Sequence, residues 1–345
     1  MPRRNVISAG IVWIAVLLNS AAVAREKTDI LTLRNGDRIT GEVVKLEYGK
    51  LTFKTSDIGT LSVEWTAVAT LDSRYTFDVE SVGGEHYFGT LAPAANGQSI
   101  LVLRSTQPIE LSPQGIARIA QLEKGWLARI NGSLSLGYNF TKSSDITVLS
   151  GHFDAAYRAR TIAMGLRIDT TSTTSPEEGT LDRDIIAFNY QWLRPRRKFW
   201  VGLTSLERNE ELGIEGRLQL GGAFGYYFRQ GASSEVTGLI GVVGNREWVT
   251  GAEDSQQSTE ALLGATWRVF RFKSPETSLN SSVTLFPSLT EAHRYRASFN
   301  LSLRREIIEN FFLDLSTYYD YDSEPPSDAS AKDDYGVVTS VGYSF

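Results

Sequence analysis

Cysteine is missing from the sequence altogether, which excludes a disulfide framework and thiolate metal sites. Long hydrophobic runs are also lacking. A mean hydropathy of −0.18 with 41% hydrophobic residues excludes a helical membrane protein, whose spans need about 20 consecutive apolar residues. The net charge of −5 carries no basic excess, so a nucleic-acid partner is not expected. The composition does not exclude a membrane β-barrel, because the strands of such a barrel are only about half apolar.

The first residues have the pattern of a secretory signal peptide. Arg3 and Arg4 form a basic start, residues 11–18 (IVWIAVLL) form an apolar core, and residues 22–24 (AVA) form a small-residue cleavage site. The apolar core is too short for a transmembrane anchor, at about eight residues. We therefore expect residues 1–24 to be removed, leaving an exported chain that starts at Arg25.

Residues 25–125 contain a duplication. An ungapped match runs through two turns and a closing strand at a constant offset of 48 positions, as between Gly41 and Gly89. We predict two copies, 25–74 and 75–125, each with about five short strands and each resembling the small SH3-like or Sm-like barrels. The sequence shows neither a basic face nor stacked aromatic residues for RNA. A peptide, glycan or barrel-docking role is favoured, and the lone His86 is expected to be a partly exposed structural residue.

Residues 334–345 alternate between an apolar face and a small or polar face, the period of a strand with different surroundings on its two sides. The sequence given stops at an aromatic residue, and this pattern resembles the assembly signal of bacterial outer-membrane barrels. The residues expected to carry that signal are Val341, Tyr343 and Phe345.

Twelve segments of this alternating kind can be counted from residue 126 onward, the first being 126–140. The 16 Phe, 14 Tyr and 7 Trp residues suit the aromatic girdles of a membrane barrel. An even strand count also brings the first and the last residue of the barrel segment to the same, periplasmic side. The prediction is an all-β protein in which residues 126–345 form a twelve-stranded antiparallel transmembrane barrel.

Loop lengths provide an independent check, because bacterial barrels have short periplasmic turns and longer external loops. If the connection after the first strand is external, most external connections are longer than the internal ones. The N-terminal repeats then lie on the periplasmic side. The expected external loops are 141–145, 169–184, 208–215, 246–257, 287–292 and 322–332.

Three stretches of the barrel resemble a known family: WLARINGSLSLGYNF at 126–140, RLQLGGAFGYYF at 217–228, and GYSF at 342–345. They are similar to an uncharacterised family of outer-membrane proteins described as salt-induced. The resemblance covers about residues 126–345 and leaves out the N-terminal repeats. It implies a membrane barrel without an established substrate or catalytic residue.

Charged residues in the alternating segments are assigned to the lumen, because Arg or Lys facing hydrocarbon at the midplane costs roughly 2–4 kcal/mol. Two interpretations stay open: a narrow polar pore, or a ladder of cross-strand ion pairs that plugs the interior. The candidate lumen residues are Arg129, His152, Asp154, Arg158, Arg167, Arg217, Glu235, Glu260, Arg268, Arg294, Arg296, Arg304 and Asp314.

Catalysis is the least favoured class of function. Ser150 and His152 form the one close Ser/His pair of the barrel segments. Both fall on the lumen face, whereas a lipase acting on the bilayer needs them outward, with a partner that orients the imidazole. We therefore expect no enzyme and no cofactor.

The sequence thus predicts an outer-membrane protein with a periplasmic N-terminal domain. It would be either a narrow channel for small polar solutes or ions, or a structural envelope protein with a plugged lumen; an outer-membrane lipase or protease is less favoured. Expected partners are outer-membrane lipid and lipopolysaccharide, the barrel-assembly machinery at the C-terminal strand, and a periplasmic protein or peptidoglycan for residues 25–124. Nucleic acid is not among them.

Overall fold

The computed structural model describes residues 26–97, 99–103, 107–122, 130–142, 145–159, 161–177, 179–249, 255–271, 275–308, 310–325 and 331–344. The expected signal peptide, residues 1–24, lies outside these ranges. So do Arg129 of the predicted lumen set and Phe345 of the expected assembly signal. No helix within the described ranges is long and apolar enough to cross a membrane.

Residues 26–122, called here the N-terminal domain, form one sheet in which nine strands are described. Its strand order is β4-β3-β2-β1-β5-β6-β7-β8, and β9 pairs with both β2 and β5. The strands are β1 (Asp29–Leu33), β2 (Arg38–Glu47), β3 (Lys50–Lys54), β4 (Thr60–Glu64), β5 (Val68–Ser81), β6 (His86–Pro93), β7 (Ile100–Leu103), β8 (Ile109–Leu111) and β9 (Ile116–Gln121).

The duplication seen in the sequence recurs in the strand pairing. β1 meets the first half of β5 at Ile30 and Asp72, and the second half of β5 meets β9 at Asp78 and Ala120. Each residue of the second pair lies 48 positions after its counterpart. The boundary expected after residue 74 falls inside β5, which both copies use.

One apolar core serves both copies. Leu31 and Phe53 of the first copy and Val79 and Ile119 of the second are fully buried in the same cluster. Trp65 joins them, and its indole Nε1 donates a hydrogen bond to the Pro113 carbonyl at 2.7 Å. The two copies therefore fold as one unit.

The rest of the described chain forms a closed barrel of twelve antiparallel strands, which confirms the predicted architecture. β21 pairs back onto β10 from Ser133 and Ser344 to Gly137 and Ser340. The strands are β10 (Ile130–Thr141), β11 (Ile146–Arg158), β12 (Ile162–Ser175), β13 (Gly179–Arg194), β14 (Lys198–Asn209), β15 (Ile214–Gln230), β16 (Ser234–Val249), β17 (Gln256–Arg271), β18 (Thr277–Pro287), β19 (Tyr295–Ile308), β20 (Phe311–Asp322) and β21 (Asp333–Ser344).

The two ends of the barrel differ. One end, called here the short-turn end, is where β11 meets β12, β13 meets β14, β15 meets β16, β17 meets β18 and β19 meets β20, and where β10 starts and β21 ends. At the opposite end, called here the long-loop end, β18 ends at Pro287 and β19 starts at Tyr295, and β20 ends at Asp322 and β21 starts at Asp333. The N-terminal domain contacts the short-turn end.

The prediction of a long external loop at 169–184 was wrong. β12 continues to Ser175 and β13 begins at Gly179, with residues 170–175 paired to 179–184. Residues 170–175 (TTSTTS) are rich in threonine, a residue that suits strands. They have no apolar face, so the apolar alternation does not mark them as part of a strand. Strands β14 to β17 likewise extend into the expected loops 208–215 and 246–257.

The outer surface carries the apolar face that the alternation predicts. Leu136, Trp200 and Val341 are among many large apolar side chains exposed there. In β16, where apolar residues fall on both faces of the strand, Ile240 is exposed on the outside, whereas Val243 is fully buried on the inside. An apolar exterior on a closed barrel is the surface that faces lipid.

Candidate functional site: the barrel lumen and its two mouths

Arg217 lies at the centre of an ion-pair network in the lumen near the long-loop end. Its Nε donates to Glu247 at 2.9 Å and its Nη1 donates to Glu207 at 3.1 Å. Its Nη2 lies 3.7 Å from a carboxylate oxygen of Asp322. Asp322 stands on β20 and Arg217 on β15, so this contact crosses the barrel. Only 3% of the Arg217 side chain is exposed, so the network encloses its guanidinium.

Two further arginines extend the network. Arg294 Nη2 donates to Glu247 at 3.1 Å and to Asp322 at 2.8 Å. Arg296 Nη2 donates to Glu260 at 2.6 Å, and Glu260 has no exposed surface. Every one of these buried charges has an opposite charge within hydrogen-bonding distance, which is the condition under which such charges are tolerated.

Arg183 on β13 reaches across the lumen to the opposite wall. Its guanidinium donates to Asp320 on β20 and lies 3.6 Å from Asp334 on β21. It also lies 4.1 Å from the ring centroid of Tyr318, within the range of a cation–π interaction. Asn209 makes a second bridge to Asp334 at 2.9 Å. These groups narrow the lumen at one level.

A cavity lies on each side of Arg183. The one toward the long-loop end has a volume of about 740 Å³ and several acidic residues in its wall, including Asp145, Glu177 and Asp333. The deeper one has a volume of about 300 Å³ and is lined by Arg217 and Arg296 among others. Arg183 lines both cavities.

One wall of the lumen is packed with apolar side chains. Phe199, Val243 and Leu262 are buried in a cluster with Tyr227. Gly225 makes room for this packing, because a Cβ at that position would collide with the Phe199 ring. The wall around β11 and β12 is more open, with 46% of the Arg167 side chain exposed. The side chains of the lumen are therefore packed most tightly on the wall formed by β13 to β17.

At the short-turn end the N-terminal domain forms a charged contact with the lumen. Arg158 of β11 donates to both carboxylate oxygens of Glu80, at 3.3 and 3.2 Å. Gln230 of β15 donates to the same carboxylate at 2.9 Å. Burial alone would raise the pKa of Glu80, but the nearby charges of Arg158 and His86 and the Gln230 hydrogen bond outweigh it and lower that pKa. Glu80 is thus a buried anion held by the barrel.

A family model described as "Protein of unknown function, DUF481" matches residues 134–345, more than half of the chain. The chain belongs to the DUF481 family. The match covers the barrel from within β10 onward and leaves out the N-terminal domain. The family description names no salt response, so the salt-induced character implied by the resemblance stays a prediction. No significant match to a curated protein is found.

Several solved structures are similar to this DUF481 member. A NanC porin is 8% identical at a TM-score of 0.35, covering 61% of this chain and 97% of its own. An outer membrane channel from Pseudomonas putida F1 is 11% identical at a TM-score of 0.35, covering 63% of this chain and 95% of its own. The translocator domain of the autotransporter NalP from Neisseria meningitidis is 12% identical at a TM-score of 0.33, covering 62% and 86%. None of these superposes closely.

The sequence-predicted lumen residues of this DUF481 barrel fall into three levels. Arg217, Glu260, Arg294 and Arg296 form the network near the long-loop end. Midway lie His152 and Arg167, both bonded to Asp169. Toward the short-turn end are four pairs, of which Arg304–Asp314 measures 3.5 Å and Arg268–Glu235 measures 3.3 Å. The remaining pairs there are Asp154 with Ser133 and Arg158 with Glu80.

Six residues of the lumen were not predicted from the sequence: Arg183, Glu207, Glu247, Asp320, Asp322 and Asp334. Arg183, Glu247 and Asp322 were placed in or at the edge of external loops, because the apolar alternation stops before them. Continuing the same parity past the last apolar residue would have assigned Arg183 and Glu247 to the inner face of β13 and β16.

The Ser150 and His152 pair of this DUF481 barrel does not form a catalytic arrangement. His152 is bonded to Asp169, which supplies an orienting carboxylate. No hydrogen bond joins Ser150 to His152 in the part of the chain that the structure describes, and both lie on the lumen side. Within the same ranges no group of three or more His, Asp or Glu side chains is placed to hold a metal ion.

Proposed function

We propose that this protein is a bacterial outer-membrane barrel that conducts small polar solutes or ions through a narrow lumen constricted at Arg183. The observation that carries the proposal is the pair of cavities, about 740 and 300 Å³, with Arg183 in the wall of both. A charged side chain at a constriction controls both the width and the charge preference of a pore.

The test is single-channel conductance of the full chain in planar bilayers. Replacing Arg183 with alanine widens the constriction and leaves Asp320 and Asp334 without their cation, so we expect higher conductance and a shift toward cations. Arg208→Ala is the matched control. Arg208 lies next to Asn209 on the same strand, and its side chain is 42% exposed and pairs with Glu210 instead of entering the constriction. Conductance at the leak level in the native chain, in Arg183→Ala and in a variant whose N-terminal domain is released from the barrel would overturn the proposal.

A structural envelope protein with a plugged lumen is the second candidate. Its support is the buried ion-pair network near the long-loop end, in which Glu247, Glu260 and Asp322 are 1%, 0% and 2% exposed. Such a barrel would show no conductance in either variant. No catalytic role is proposed for either candidate.

Location, topology and partners belong to the same proposal. The apolar exterior fits outer-membrane lipid and lipopolysaccharide, and the N-terminal domain is placed in the periplasm together with the short turns. The assembly machinery would recognise β21, where Val341 and Tyr343 point outward and are exposed. Replacing Tyr343 with serine should lower the folded fraction in the membrane, whereas the same change at Tyr138, an exposed tyrosine on β10, should not.

A periplasmic protein or peptidoglycan remains the proposed partner of the N-terminal domain. Pull-down of envelope components with the full chain tests this. Failure to retain either class would remove the partner role and leave the contact with the barrel as the one role proposed for the domain.

A further inference from the structure

Contacts of the N-terminal domain are distributed around the short-turn mouth. They involve the start of β10 and four successive short connections of the barrel. Lys45 bonds to Asn131 at the start of β10, and Glu80 pairs with Arg158 at the end of β11. Arg197 donates to the Val82 carbonyl at 2.7 Å from the β13–β14 turn, and Lys50 pairs with Glu276 at 2.7 Å before β18. A domain bound to one side of the mouth could not reach all of these points.

The tip of the β2–β3 hairpin enters this ring of contacts. Tyr48 and Gly49 have φ of 53° and 80°, the left-handed backbone of a tight hairpin turn. The centroid of the Tyr48 ring lies 4.6 Å from the centroid of the Phe270 ring, at the end of β17. A Cβ on Gly49 would collide with the Ala232 carbonyl in the β15–β16 turn. The tip is thus held against two connections of the barrel at once.

The surroundings of the Tyr48 hydroxyl agree with insertion into the mouth. Tyr48 keeps 39% of its surface exposed, and the charges of Arg268, Glu235 and Arg158 lie close enough to act on its hydroxyl. These three residues stand on β17, β16 and β11. The hairpin tip therefore lies near charged side chains of three different barrel strands.

The interface also has buried polar contacts that a chance contact lacks. The Glu80 side chain is 7% exposed and that of Arg158 is 17% exposed in their ion pair. Ala232 packs against the apolar core of the N-terminal domain itself. Two desolvated charges that compensate each other make a specific contact, because either one alone would be costly to bury.

We infer that the N-terminal domain is a plug of the barrel: its Tyr48–Gly49 hairpin tip closes the short-turn mouth, and solute passes only when the domain has moved away. The inference rests on the proposed channel function, which it extends by giving the domain a role. In the docked state the lumen opens at the long-loop end and is closed at the other.

Access to the lumen tests the plug without relying on conductance. The sequence has no cysteine, so a single Ala156→Cys, on the exposed inner face of β11 near this mouth, is the one labelling site of the full chain in detergent. A polymer-linked maleimide is too large for the Arg183 constriction and can enter only from the short-turn side. We expect slow labelling when the plug is docked.

Gly49→Ala should speed that labelling, and Gly59→Ala is the matched control. Both glycines have nearly the same positive φ, 80° and 82°, but Gly59 has no heavy atom within 4 Å of an added Cβ. Backbone strain is therefore equal, and only Gly49 loses the barrel contact. The expected ratio of labelling rates is roughly tenfold or more, the change that corresponds to about 1.4 kcal/mol of docking free energy. Equal rates would overturn the plug.

A second pair of variants covers the case in which Gly49→Ala does not fold. Glu80→Ala removes the buried pair with Arg158, whereas Arg74→Ala removes an exposed pair with Glu26 inside the same domain. Faster labelling in Glu80→Ala alone supports the plug, and equal rates in the two variants contradict it.

Conductance separates this inference from the channel proposal. Cysteines at Lys50 and Glu276, whose side chains meet at 2.7 Å, can be joined by a short reducible cross-linker. The plug predicts low conductance when joined and recovery after reduction, with Lys50→Cys alone unaffected. Full conductance in the joined state would overturn the plug. Labelling differences without conductance in any variant would overturn the channel alone.

Discussion

Glu80 of the N-terminal domain and Arg158 of the barrel form an ion pair in which one guanidinium nitrogen contacts both carboxylate oxygens, at 3.2 and 3.3 Å. The two residues are 78 positions apart in the chain. The pair links the second half of β5 to the end of β11, where the first short turn of the barrel begins. Four predictions follow from this contact and from the packing of the lumen.

Replacing Glu80 with alanine should loosen the N-terminal domain from the barrel. It leaves Arg158 largely buried without a counter-charge, a change that costs up to about 3–5 kcal/mol. The measurement is the urea concentration at which trypsin cuts the N-terminal domain of the full chain in micelles. Combining Glu80→Met with Arg158→Met should restore part of the loss, because a matched apolar pair leaves no uncompensated charge.

A decrease in stability of the N-terminal domain is expected as pH rises through neutrality. His86 Nδ1 contacts Asp78 at 2.8 Å. Burial and Arg158 alone would lower the pKa of His86, but the Asp78 bond and the charges of Asp78 and Glu80 raise it above its ordinary value. A raised pKa means that the stabilisation is complete below about pH 6.5 and is lost as pH rises through the folded pKa.

The same urea and trypsin measurement, repeated from about pH 6 to about pH 8, checks this sign. His86→Gln should flatten the pH dependence, because glutamine does not titrate. The other two histidines lie in the barrel part, His152 on β11 and His293 just before β19 at the long-loop end. A dependence that persists in His86→Gln would assign it to other groups.

Replacing Arg217 with methionine should destabilise the barrel strongly. The change leaves Glu207, Glu247 and Asp322 close together in the lumen without the arginine that they share. Removing one partner of such a buried group costs about 3–5 kcal/mol. Heat-dependent mobility of the folded barrel on gels gives the change in unfolding temperature. Arg246→Met is the control, since Arg246 lies on the outside of β16 beside the Trp248 ring, and its unfolding temperature should stay near the native value.

Gly225→Ala should also destabilise the barrel, through overpacking. The new Cβ collides with the Phe199 ring, which is 2% exposed and has no room to move. Overpacking of this kind costs about 1–3 kcal/mol. Gly222→Ala on the same strand is the control, because its nearest heavy atom is 3.7 Å away. The urea midpoint of unfolding should fall only for Gly225→Ala, and Phe199→Leu added to it should recover part of the loss.

The alternation of apolar residues by itself determined the twelve strands and which face of most of them meets lipid. The reason is that every lipid-facing position needs an apolar side chain, so the outward face of each strand can be identified from that strand's own sequence. The offset of 48 positions in the same way determined the duplication. Both signals are local or repeat along the chain, and neither needs knowledge of what lies opposite.

The alternation failed where that requirement ends. Residues 170–175 continue β12 beyond the apolar face, and their pairing with 179–184 became visible only with both strands in place. The same limit hid Arg183, because its partners Asp320 and Asp334 lie on the opposite wall and more than a hundred residues away. Face assignment is a local property, whereas contact across a lumen depends on strand register and on closure of the barrel.

Only the tertiary structure decided that the N-terminal domain contacts the short-turn mouth at several points and that one wall of the lumen is packed with apolar side chains. Tyr48 and Gly49 read in the sequence as an ordinary hairpin turn, and Glu80 reads as one carboxylate in a strand. In the folded protein they contact Phe270, Ala232 and Arg158, which closure of the barrel brings to the same mouth. The sequence determined two β units; their contact depends on surfaces that exist only after both have folded.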